Sequence, residues 1–150
     1  MLEIFIDADG CPVKPEVYRV AQRYSLHVTV VGNSRIRIPA GDWAKLVVVK
    51  GHFDAADDWI VEHAAANDIV VSGDILLAAR CLEKGTLVLG HRGDEFTQDS
   101  IGEALAMRAS YAYLRELGTI TGGPPPFESR DRSRFLQRLD ETIQGVRRKG

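Results

Sequence analysis

One feature limits the fold of this chain more than any other. Five short β-branched or aliphatic runs alternate with segments of helical spacing along 150 residues. Leu2 to Ile6 is apolar and ends in Asp-Ala-Asp-Gly; Pro15-Glu16 then opens a pattern with Val17, Val20, Ala21 and Tyr24 on one face. Leu26 to Val31 and Leu46 to Val49 are nearly continuous in apolar residues, as strands buried on both faces are. The polar stretch GNSRIRIPAGDW lies between them. Asp54 stands three residues before Asp57 and is placed to cap a helix over about 55–67, with Ile60, Val61 and Ala64 inward. Asp68 to Ser72 is a fourth strand, Asp74 begins the helix DILLAARCLEK, Gly85 ends it, and TLVLG returns as a fifth strand. Ser100 and Glu103 have the spacing of a capping box for a helix reaching Gly118. After TGGPPPFES, a last helix over about 129–148 carries Phe135, Leu136, Leu139, Ile143 and Val146 on one stripe.

Strands joined by helical crossovers call for a three-layer α/β/α fold with a mostly parallel five-stranded sheet of Rossmann-like topology. With 45% hydrophobic residues, residues 1–150 suffice for one core and fall short of two ordinary domains. The N-terminus fits neither a signal peptide nor a spanning helix, so a cytoplasmic protein without membrane association is expected. Cys11 and Cys81 lack metal-ligand spacing and read as reduced thiols.

The net charge of −2 is unevenly distributed. Glu128 to Gly150 holds seven Arg or Lys against four acids, leaving the rest of the chain at −5. An acidic body therefore carries a basic C-terminal helix.

In parallel sheets, ligands bind beyond the C-terminal ends of the strands. Asp7 and Asp9 sit there on the first strand, and their spacing lets both face one crevice. Asp74 occupies the corresponding end of the fourth strand and lies opposite Asp7 if strands one and four are neighbours. Asp57 and Asp58, in the first turn after the third strand, reach the same edge. Carboxylates that converge repel one another unless protons or a cation neutralise them. Oxygen-only ligands point to Mg²⁺ or Mn²⁺, and so to phosphodiester hydrolysis or phosphoryl transfer. Against this stands the use of Asp54, Asp57 and Asp74 as helix-start residues without catalysis. Asp7 and Asp9, in a loop, have no such alternative.

The segments IDADGCPVK, GHFDAADDWI, DIVVSGDILLAAR, RGDEFTQDSIGEALAMR and TGGPPPFESRDRSRFLQ resemble the bacterial YaiI/YqxD family, in order and over nearly the full length. That family is similar to PIN-like and NYN ribonuclease domains. The resemblance implies a PIN-like fold and an acidic metal site at Asp7, Asp9, Asp57 or Asp58, and Asp74. Gly10, Leu76 and Ser100 depart from the family's commoner Ala, Pro and Asn, and none of these is a proposed ligand.

Lys14, Lys50, Arg92 and Arg132 are candidates for contacts to substrate phosphates, with a solvated surface as the ordinary alternative. Trp43, Trp59 and Phe53 could stack on bases, although such spacings more often serve a core. The leading expectation is a divalent-metal-dependent nuclease acting on RNA or another nucleic acid. Asp7 and Asp74 would hold the metal, and Asp9 or Asp57 would orient or activate water. Two alternatives stand beside it: a phosphatase of the DxD type, suggested by DADGC, and a binding domain with a structural cation, with RNA or a second copy of the chain as partner. The phosphatase order of motifs is not kept, because Lys50 and Asp57-Asp58 precede Ser72.

Overall fold

The computed structural model describes residues 1–52, 54–119 and 125–149. Phe53 and residues 120–124 of the Gly/Pro-rich connection lie outside the described residues. Five parallel strands form as the alternation requires: β1 (Glu3–Asp7), β2 (His27–Gly32), β3 (Ala44–Val48), β4 (Ile69–Val71) and β5 (Leu87–Leu89). A sixth strand, β6 (Glu95–Phe96), pairs antiparallel with β5. Two residues are too few to show a period of two, so β6 had no sequence signal. Its turn closes through the Gly90 N–H, which donates to the Asp94 carbonyl at 2.8 Å.

The strand order is β3-β2-β1-β4-β5-β6, so β1 and β4 are neighbours. Alternation along each strand sorts the side chains into two cores. Ile4, Ile6, Val28, Val30 and Val71 face α1 (Lys14–Arg23) and α5 (Ser129–Lys149), meeting Val17, Val20, Phe135, Leu139 and Ile143. Phe5, Val31, Val70 and Val88 face the other way, onto Ala56 and Ile60 of α2 (Ala55–His63) and Leu77, Ala78 and Cys81 of α3 (Ile75–Glu83). The result is three layers. Phe135 is fully buried, and truncation to alanine should cost about 3–5 kcal/mol.

Several helix ends differ from expectation. α2 stops at His63, because Ala64 is extended and the Asp68 carboxylate takes the Ala65 N–H at 2.8 Å. The capping box of α4 (Gln98–Glu116) is Thr97 and Ser100, one turn earlier than the Ser100–Glu103 pair. Thr97 is extended, its hydroxyl accepts from the Ser100 N–H at 3.1 Å, and the Ser100 hydroxyl accepts from the Thr97 N–H at 3.1 Å. No residue of α4 is buried.

Trp43 packs edge-on against Tyr18, and Trp59 lies between Phe5 and a stacked His63. Cys11 and Cys81 are buried free thiols. Among the described residues, no helix is long and apolar enough to cross a membrane.

Candidate active site

Between β1 and β4 the chain's winding reverses, with β2 and β3 on one side and β5 on the other. Crossover helices diverge to opposite faces at such a point, which opens a crevice beyond the strand ends. Here the crevice is a cleft of about 270 Å³, with Asp7, Asp9, Asp54, Asp57 and Asp74 in its lining. Four of these five are the residues proposed to carry chemistry. The fifth, Asp54, was read as a cap; it occupies the cap position but its side chain makes no capping hydrogen bond.

Asp7 is the last residue of β1, and the fully buried Ser72 hydroxyl donates to its Oδ2 at 2.8 Å. The Asp74 N–H donates in turn to Ser72 Oγ at 3.0 Å, so one hydroxyl ties the two strand ends together. Burial pushes the Asp7 carboxyl above its ordinary pKa; the Ser72 bond opposes this, and the charges of Asp74 and Asp9 add to it. Asp74 caps α3 through Oδ1, which accepts from the N–H groups of Leu76 and Leu77 at 2.9 and 3.3 Å. Capping uses one oxygen of a residue that also lines the cleft, so the structural and chemical readings coexist.

Asp57 is pushed up to about 6, first by burial and then by the charges of Asp7, Asp74 and Asp54, against a smaller opposing pull from Arg80. Its neighbour Asp58 points elsewhere. The Asp58 carboxylate meets His52 Nε2 at 2.7 Å and accepts from Arg80 at 2.8 Å, contacts that lower its pKa. A 100° helical step separates the two side chains, and the cleft receives Asp57 alone.

The basic candidates fall outside the cleft lining. Arg92 donates to Asp131 at 3.0 Å and to the Pro125 and Pro126 carbonyls, which clamps the start of α5. Arg132 donates to the Pro12 carbonyl at 2.7 Å and to Glu16 at 3.1 Å. Both guanidinium groups are thus committed to holding α5, Arg92 from the β5–β6 turn and Arg132 against the loop after β1 and the first turn of α1. Lys50 is exposed; Lys14 opens α1, close enough for its charge to act on Cys11 and His91.

Sequence reasoning missed Ser72, which lies beneath the cleft and holds Asp7, and two polar residues of the lining, Asn33 and His91. All three follow a parallel strand, so the strand-end rule that found Asp7 would have reached them had it been applied to every strand.

Among the described residues, no Lys or Arg forms an ion pair with the five cleft aspartates, and no three His, Cys, Asp or Glu side chains are gathered closely enough to cage an ion. The model of the family described as "Uncharacterized BCR, YaiI/YqxD family" matches residues 5–145. The chain belongs to this family. A UPF0178 protein of Parvibaculum lavamentivorans is 54% identical over 149 residues, covering 99% of this chain and 98% of the relative. Another, from Rhodospirillum rubrum, is 52% identical over 148 residues, covering 98% and 99%. A third, from Agrobacterium fabrum, is 49% identical over 146 residues, covering 97% and 95%. No solved structure matches the chain. These family names carry no activity, so any functional reading has to come from the cleft itself.

The five aspartates of the cleft offer oxygen ligands alone and are not closed into a cage. Mg²⁺ keeps several of its waters and takes one or two carboxylates plus substrate oxygens, a requirement that a loose group of aspartates fits better than a closed cage.

Proposed function

We propose that this protein is a divalent-cation-dependent nuclease acting on RNA, with its site in the acidic cleft beyond β1 and β4. The observation that carries the proposal is electrostatic. The fold leaves Asp7 only partly exposed and sets Asp57 and Asp74 against it, and among the described residues no basic side chain pairs with them. Such an arrangement is costly unless a cation joins it. It also fits the family's likeness to PIN-like domains.

Asp7 and Asp74 would hold Mg²⁺ or Mn²⁺, which when bound supplies positive charge to a phosphodiester oxygen. The other roles belong to the chain. Ser72 fixes the carboxylate plane of Asp7 through the 2.8 Å bond, and the Asp74 N–H fixes Ser72. Asp57, with a pKa of about 6, is largely ionised at neutral pH yet basic enough to accept a proton from an attacking water. Asp9, exposed at the mouth, adds negative charge to the side where a hydrated cation enters. The phosphatase reading receives no such support, because Lys50 does not line the cleft.

The test is cleavage of a labelled RNA oligonucleotide in Mn²⁺ or Mg²⁺ by the wild-type protein and by Asp7→Asn. Asp7→Asn should lose at least about a hundredfold in rate while its circular dichroism is unchanged. Retained cleavage would overturn the assignment. RNA binding that survives EDTA and comes without cleavage would favour the non-catalytic binding domain.

A further inference from the structure

The cleft has two unlike walls. One carries the aspartates, and the other is the turn between β5 and β6, which places His91 in the lining. The His91 ring makes no hydrogen bond among the described residues, and its Nε2 is buried without a partner. A buried nitrogen without a partner destabilises the fold and calls for an explanation. Burial holds the imidazole below its ordinary pKa; Asp94 opposes this, and Arg92 and Lys14 reinforce it.

The turn is not free to let the ring escape. The Gly90 N–H donates to the Asp94 carbonyl at 2.8 Å, and Arg92 is clamped to Asp131. Gly93, at φ +85°, lies so close to α5 that a Cβ there would sit 2.8 Å from the Arg134 backbone. On the facing side, a Cβ on Gly73 would come within 3.2 Å of the His91 ring. Gly73 has a φ that any residue adopts, so what explains its missing side chain is the space given to the imidazole.

We infer that His91 is a substrate-contacting residue, donating to the phosphate next to the scissile one, so that the substrate is a polynucleotide rather than an isolated phosphate ester. This rests on the nuclease reading for the place of the scissile phosphate. A neutral imidazole offers one N–H donor, and an acceptor entering the cleft gives the ring the partner it lacks.

Two measurements on the full chain test this. The first is fluorescence anisotropy of a fluorescein-labelled single-stranded RNA oligonucleotide, with Ca²⁺ present so that cleavage does not intervene. The second is Mn²⁺-dependent hydrolysis of bis(p-nitrophenyl) phosphate, which has a single phosphate. His91→Ala should weaken RNA binding about tenfold, and His91→Gln, which keeps an N–H donor, should restore most of it. On the small diester, which has no second phosphate for the ring to meet, both variants should lose less than they lose on RNA. Gly73→Ala, which crowds the ring, should weaken RNA binding in the same direction.

Equal RNA affinity of wild type and His91→Ala would overturn the inference, as would no RNA binding by the wild type. An equal loss on both substrates would also overturn it, by placing His91 at the scissile phosphate. Binding weakened by His91→Ala, with neither substrate hydrolysed by the wild type, would uphold the contact and overturn the nuclease reading alone.

Discussion

The two ends of the β1–β4 pair each hold a largely buried aspartate, and the fold treats them in opposite ways. At the N-terminal end, Asp68 Oδ1 accepts from the Glu3 N–H at 2.9 Å and Oδ2 from the Ala65 N–H at 2.8 Å. Each oxygen has a backbone partner, and the carboxylate ties β1 to the end of α2. At the C-terminal end, Asp7 has one hydroxyl from Ser72 and faces the charges of Asp74 and Asp9. One aspartate is consumed by the structure; the other is held ready for something outside it. The same contrast separates the cavities at these ends. The N-terminal one, about 600 Å³, is lined by Leu26, Val146, Arg147 and Lys149 and by no acid, whereas the cleft has five.

Exchanging the two aspartates' roles by mutation gives the largest expected effect. Asp68→Ala leaves the Glu3 and Ala65 N–H groups without acceptors, a loss of about 3 kcal/mol, or roughly 6–12 °C in Tm for a chain of this size. Asp7→Asn should leave Tm unchanged or raise it in metal-free buffer, because repulsion falls and Ser72 can still donate to the amide oxygen. Thermal melts in EDTA would show it. A large Tm loss in Asp7→Asn would mean that Asp7, like Asp68, serves the fold.

A smaller effect should follow from adding the cation. Mn²⁺ in excess of its Kd by about a hundredfold stabilises by about 2.7 kcal/mol if it binds the folded state alone. The shift in Tm should be clear at pH 7.5 and shrink towards pH 5, as carboxylates with raised pKa values take up protons and release the ion. It should vanish in Asp7→Asn and persist in Asp68→Ala. A shift of equal size at both pH values would place the ion elsewhere.

The contrast also explains what could be read from the sequence. Asp7 and Asp74 were legible because both stand at C-terminal strand ends, and the sheet adopts the doubly wound order in which β1 and β4 are neighbours. Asp57 and Asp58 could not be told apart, since one helical step decides which faces the cleft and no α2 boundary from sequence is accurate to one residue. Arg92 and Arg132 looked like phosphate contacts because their partners, Asp131 and Glu16, are 39 and 116 residues away. Long-range pairing of that kind leaves no local mark. Thr97 took the cap of α4 from Ser100 with the Ser100 hydroxyl in the place that Glu or Gln fills in the sequence signature, so the signature pointed one turn too late.

The smallest expected effect concerns Asp57. Its pKa is about 6 when folded against an ordinary 3.8, so the folded state favours the protonated form. The stability this contributes is fully present below about pH 4 and is lost as pH rises through 6. Asp57→Asn, which cannot ionise, should therefore raise Tm in EDTA at pH 7.5 and leave it nearly unchanged at pH 4. For a side chain this open to solvent the gain should stay below about 1 kcal/mol. The same variant should lower Mn²⁺-dependent cleavage and flatten its rise with pH near 6, since the group that accepts the proton is gone. If cleavage falls but its pH profile keeps its shape, Asp57 holds or orients the cation and the base is another group. If Tm falls at both pH values, the carboxylate is a structural one, and the division between the two ends of the sheet fails at this residue.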